Sequence, residues 1–363
     1  GARGDAGPGR LLRVEVEVIG QQGNGPARRA AEYLRDRVPL RPAALSKFEF
    51  GLSRSTRGTR GEPSPGRAGE NLTADSPADT VARAVVGHQL EALVANEPAA
   101  RAGFSAEPLH DLRVAARRMR AALSLFKRQL PAELLAYRDE ARWIGRATGP
   151  LRDLDVHLAA ATDDSSGPAA PEDVVGLLRE RQARARRAMI RALASPRFAR
   201  FVSGCHELLE EAAPAPAGER PVAEVAVPLL DRRYASMRRR GRRLGPGSPA
   251  EDFHELRIAA KKLRYALEFL APIFGRELKR YRSRLVSLQD LLGEHQDADV
   301  SAAALRDLAR AHAGRLSPDG RRFVLASAEA GERKAKHLRR RFPDVWDRLS
   351  PSPWKGVLAA CER

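Results

Sequence analysis

Leu109, Leu112, Ala116, Met119, Leu123 and Phe126 follow one another at intervals of three and four residues. That is the period of an α-helix burying one apolar stripe, with polar and cationic residues filling the positions between. The same period runs from Pro77 almost to the end of the chain, punctuated by Pro-, Gly- and Ser-rich clusters near 162–171, 212–221, 244–250 and 314–320. In the first half it predicts helices over 77–97, 106–130, 134–149, 151–162, 172–193 and 197–212. In the second half it predicts them over 222–243, 250–274, 276–292, 295–313, 319–341 and 343–349. The expected fold class is therefore all-α, as two helical bundles joined at 212–221, with 351–363 as a C-terminal tail.

The first fifty residues follow a different rule. Apolar and charged residues alternate over 11–20 (LLRVEVEVIG), a strand signal, and a helix-like stretch follows at 27–38. Residues 51–76 are rich in Gly, Ser, Thr, Pro and Arg and read as a flexible linker. A solitary strand is not stable alone, so 1–50 reads as the short β/α end of a truncated domain. The chain is accordingly expected to begin inside a longer protein.

One stretch of the helical pattern is written twice. Residues 109–126 read LHDLRVAARRMRAALSLF and residues 253–270 read FHELRIAAKKLRYALEFL. His110, Arg113, Arg117, Arg118 and Arg120 thus recur 144 residues later as His254, Arg257, Lys261, Lys262 and Arg264. The same offset carries Tyr137 and Arg138 onto Tyr281 and Arg282, and Asp153 and Asp155 onto Asp297 and Asp299. Register held over that distance marks an internal duplication.

Helical geometry sorts the basic residues. With His110 at zero and about 100° per residue, Arg117 falls near 340°, Arg113 near 300°, Arg120 near 280° and Lys127 near 260°. These share one strip beside the apolar stripe. Arg118 falls near 80° and lies off it, as does its equivalent Lys262. The next helix adds Arg138, Arg142 and Arg146 at four-residue spacing, whose counterparts are Arg282, Val286 and Asp290. Like charges at this spacing cost a helix about 0.2–0.5 kcal/mol per pair, so a duplicated ladder implies a partner of opposite sign. The alternative is ion pairing to Asp153, Asp155, Asp297 and Asp299. Those aspartates, with His157, Glu294 and His295, superficially resemble metal ligands, but capping and salt bridging explain them better and no metal is expected.

Composition narrows the partner. The formal net charge is +18 and the isoelectric point about 10.8, which directs attention to polyanions: nucleic acid, an anionic membrane surface or a phosphate polymer. Arginine forks grip phosphate oxygens in pairs, which lysine cannot do. Aromatic residues make up only 5%, too few for the stacking platforms of single-strand binders, which makes nucleic acid the less favoured partner. Cys205 and Cys361 stand alone, as in a reducing cytoplasm, and no run of eighteen apolar residues suggests membrane insertion.

The two segments HDLRVAARRMR and HELRIAAKKLR, with YRDEARWIGRATGPLRDLDV and YRSRLVSLQDLLGEHQDADV downstream, resemble the CHAD family, the conserved-histidine α-helical domain. The resemblance covers about 77–350, as one repeat over 77–212 and a second over 222–350. It implies a pair of pseudo-symmetric four-helix bundles whose basic residues line a central pore or cleft. It also implies non-enzymatic binding of inorganic polyphosphate, with no cofactor, for targeting or scaffolding, on polyphosphate granules for example. Carried over residue by residue, the binding set is His110, Arg113, Arg117, Arg120, His254, Arg257, Lys261 and Arg264, then Arg138 and Arg282. Arg118, Lys127, Arg142 and Lys262 are secondary candidates. The VEVEV and SKFE segments resemble the end of a CYTH (triphosphate tunnel) domain, often fused in front of CHAD. Ile19 stands where that domain's ExExK pattern calls for lysine, so a working triphosphatase is not expected in this chain. The competing readings are a basic helical protein that binds nucleic acid, and a phosphohydrolase as part of a CYTH–CHAD protein.

Overall fold

The computed structural model describes residues 72–103, 105–163, 169–211, 220–349 and 352–362. The strand at 11–20, the helix-like stretch at 27–38, the CYTH-like segments and most of the 51–76 linker lie outside them. Within them the chain is all-α. The first repeat comprises α1 (Ala78–Ala102), α2 (Glu107–Leu125), α3 (Ala132–Thr162), α4 (Glu172–Leu193) and α5 (Pro196–Glu210). The second comprises α6 (Val222–Gly241), α7 (Ala250–Phe274), α8 (Arg276–Arg284), α9 (Val286–Ala311) and α10 (Pro318–Asp347), followed by α11 (Trp354–Cys361).

Small sequence differences explain where the two copies part. In the first, Ser195 caps α5 by accepting the Phe198 N–H, and Pro196 occupies its first turn. The equivalent positions are Arg339 and Arg340, good helix formers with no capping oxygen, and α10 runs straight through them. Pro150 predicts a break between two helices, yet α3 continues past it. In the second copy the break comes earlier, at Leu285, where the Ser283 hydroxyl donates to the Lys279 carbonyl and Leu285 N–H reaches back only three residues, to Arg282.

Equivalent helices meet across the repeats: α1 on α6, α2 on α7 and α4 on α10. Each contact of this kind is self-complementary, as in a two-fold dimer. The backbone marks the axis itself. Pro77 and Pro221, again 144 residues apart, form an antiparallel bridge. Ala78 N–H donates to the Arg220 carbonyl at 3.1 Å while Val222 N–H donates to Ser76 at 2.8 Å, one bond being the image of the other.

One large core fills both bundles and includes the α2 stripe Leu109, Leu112, Ala116, Met119, Leu123 and Phe126, as the periodicity predicts. A second, smaller core lies at the far tips of the α3–α4 and α9–α10 hairpins, where Leu177 and Leu178 pack with Leu308, Leu316 and Val324. Contact between α2 and α7 at one end and between the hairpin tips at the other leaves α3 and α9 without extended packing on each other. Helix α11 stacks Trp354 on Tyr234, with ring centroids 4.1 Å apart, and its indole donates to Asp231.

Candidate cationic site at the α2–α7 junction

The cationic strips lie along α2 and α7, beside the apolar stripes that pack these helices. Arg113 is the most tightly held of their arginines. Its Nη1 donates to the Gly145 carbonyl at 2.9 Å and to Thr148 Oγ1 at 3.2 Å, tying α2 to α3. Gly149 makes room for it, because a β-carbon there would stand 3.2 Å from Arg113 Nη1. Burial holds the Arg113 pKa below its ordinary value, against the favourable field of Asp153. Arg257, its equivalent, instead makes an ion contact with Asp297 at 3.7 Å.

The cations that converge without such support are the informative ones. Arg117 makes no side-chain hydrogen bond or ion pair among the described residues, and its Nε is buried without a partner. It reaches across the repeat boundary: its charge acts on both Arg257 and Lys261. Lys261 is likewise unpaired. Burial, then the charges of Arg257, Arg117 and Arg264, push its pKa down to about 7, opposed only by Asp297. Arg120, with a buried and unpartnered Nε, faces Arg142, Arg138 and Arg146 of α3. Its pKa is lowered by burial first and by those arginines next. The one acid among them, exposed Asp139, stands 3.8 Å from both Arg138 and Arg142.

The second half of the junction carries its own acid. Glu268, only 12% exposed, has Arg118 at 3.1 Å, Arg264 at 3.5 Å and Arg282 at 3.9 Å. None of these contacts is aligned as a hydrogen bond, and Glu268 Oε2 is buried without a donor. Arg118 comes from the first repeat and also lies over the Phe269 ring, 5.6 Å from its centroid. Its position off the strip is thus spent on joining the repeats.

The remaining candidates are placed as follows. His110 and His254 are exposed at the start of their helices, and His254 Nδ1 is bonded to Gln296 Oε1. Lys262 is grouped with Arg233 and Arg240 of α6, away from the strip, and burial depresses its pKa. Lys127 is not on the strip. Helix α2 ends at Leu125, Phe126 leaves helical geometry at φ −96° and ψ 26°, and Lys127 sits in the turn beyond. Its helical angle was a property of a helix that stops two residues earlier.

Apart from Asp155, which accepts from an amide, the acidic residues lie against cations. Asp299 makes an ion contact with Arg339 at 3.9 Å, and Asp155 accepts from Gln182 at 2.8 Å. His295 is buried and accepts from Arg339 Nε at 2.9 Å, with its pKa lowered by burial and by that guanidinium. Among the described residues no group of three or more His, Cys, Asp or Glu side chains could hold a metal, and no helix is long and apolar enough to cross a membrane. Both cysteines are free and buried, and burial raises their pKa values.

Sequence reading missed Glu268. Its helical angle from His254 is about 320°, which puts a carboxylate on the cationic strip itself, where the first copy has Ser124. That angle is the signal that would have found it.

Comparison with known proteins agrees with this architecture. The CHAD domain family model matches residues 84–306. The crystal structure of the CHAD domain from the plant Ricinus communis is 28% identical over 83% of this chain and 97% of its own, with a TM-score of 0.59. PptA from Streptomyces chartreusis shares the fold at 22% identity and a TM-score of 0.55, over 75% of this chain and all of its own. No curated protein matches the chain.

Proposed function

The chain belongs to the CHAD domain family, and from that premise we propose that it binds inorganic polyphosphate without transforming it. The binding set is the cationic track across the α2–α7 junction: Arg117, Lys261, Arg120, Arg138, Arg142 and Arg146, while Arg264 and Arg282 on the far side face Glu268. Arg113 and Arg257, already engaged with α3 and Asp297, hold the helices in register. His110 and His254 stand at the exposed rim, where each can donate to a phosphate oxygen. The protein thereby serves to target or scaffold on the polymer.

The carrying observation is that Arg117 of the first repeat and Lys261 of the second come together with no ion pair of their own among the described residues. Self-repulsion of this kind is relieved by a multivalent anion, and a flexible phosphate chain delivers its charges at close spacing. Binding by such contacts releases counter-ions and weakens steeply as salt rises.

Nucleic acid is the second reading, and aromatic placement weighs against it. Tyr265 and Phe269 beside the track are buried, and Trp143 on α3 is covered by Arg197 at 4.4 Å. Among the described residues no exposed Phe, Tyr or Trp ring is left on the track for a base to stack upon. The test is competition at physiological salt between linear polyphosphate and RNA or duplex DNA, with phosphate release followed in Mg²⁺. Polyphosphate should displace either nucleic acid and be recovered intact. Preferential retention of nucleic acid, or hydrolysis of the polymer, would overturn the proposal.

A further inference from the structure

The two halves of the track are equivalent by duplication but not by charge. On the first-repeat side Arg120 faces Arg138, Arg142 and Arg146, and among the described residues the only acid near them is exposed Asp139. On the second-repeat side the counterparts of Arg142 and Arg146 are Val286 and Asp290, so two positive charges are missing and one negative is added. The cations that remain there, Arg264 and Arg282, both face Glu268. Glu268 lies on the strip itself, largely buried and ringed by three arginines.

We infer that Glu268 is a built-in anion occupying the second-repeat half, so that an incoming polyphosphate chain is held by Arg120, Arg138, Arg142 and Arg146 together with Arg117 and Lys261. This rests on the polyphosphate reading for the identity of the ligand, though not for the internal anion itself. A fixed carboxylate screens the arginines around it and repels a phosphate brought to the same place. Its ion contacts are not aligned as hydrogen bonds, so the arginines are oriented toward an anion without being saturated by it. The duplication thus yields a polar track with one open half and one self-occupied half.

The test is titration of the whole chain with linear polyphosphate over a salt series, comparing wild type with Glu268→Gln, Arg138→Ala and Arg282→Ala. Glu268→Gln should bind about tenfold more tightly and steepen the slope of log K against log salt by about one. Arg138→Ala should weaken binding clearly more than its duplicate Arg282→Ala does. Equal losses from the two arginines, or no gain from Glu268→Gln, would overturn the inference. Should Glu268→Gln not fold, the comparison of Arg138→Ala with Arg282→Ala decides alone. Thermal melting in sulfate separates the two claims. If polyphosphate does not bind wild type, the functional reading fails, but sulfate should still stabilise Glu268→Gln more than wild type. Equal stabilisation of both would then overturn the built-in anion as well.

Discussion

Lys261 is the residue whose chemistry depends most on its surroundings. Arg257 and Arg264 flank it on α7, Arg117 faces it from α2, and Asp297 of α9 is the one acid that favours its charge. With its pKa pushed down to about 7 from 10.5, the ammonium is half-neutral near physiological pH. A bound polyanion favours the charged form, so binding takes up a proton. Affinity for polyphosphate should therefore be highest below pH 7 and fall as pH rises through 7 to 8, whereas Lys261→Arg should flatten this dependence. An unchanged pH profile in Lys261→Arg would contradict it. Stability without ligand runs the other way: between about 7 and 10.5 the unfolded chain binds the extra proton, so the folded state gains as pH rises. At this scale the cationic strip was legible, because helical angle needs only local periodicity. The division of labour within it was legible only in part: pairing to Asp297 was an open alternative, realised by Arg257, whereas Arg118–Glu268 joins helices of different repeats and had no local signal of pairing.

Helices were legible in kind and less so in their ends. Pro150 reads as a terminator, yet it breaks nothing in α3, whose neighbours α2 and α4 pack along it. Conversely, the lost cap at Arg339 and Arg340 could have announced a fused α10, because capping chemistry is local. What periodicity could not give is the clasp between hairpin tips, where α4 meets α10 and Asp173 accepts the Ser317 N–H at 2.7 Å. Leu178, 3% exposed, lies in the small core of that clasp. Leu178→Ala should cost about 2–4 kcal/mol, read as a lower urea midpoint with unchanged helicity in the folded baseline. A cost below about 1 kcal/mol would mean that the tips are not held by this core.

For the molecule as a whole, duplication does two different jobs. It builds a scaffold in which equivalent helices meet about one axis, marked by the reciprocal bonds at Pro77 and Pro221. It also brings two ladders together at the α2–α7 junction, where, in the proposed function, a bound anion relieves the local cost of like charges. The repeat and its register gave away the first job. The second was visible only as an expectation that the strips share a surface, because a net charge of +18 does not say where the charges meet. In the proposed function, the approach of Arg117 of one repeat to Lys261 of the other joins the strips into one track. The most direct measurement is therefore the salt-dependent affinity of linear polyphosphate for wild type and for the Arg117→Ala/Lys261→Ala double variant. The double variant should bind at least tenfold more weakly, with a slope of log K against log salt shallower by about two. Equal affinity and equal slope in the two proteins would contradict a shared track at the junction.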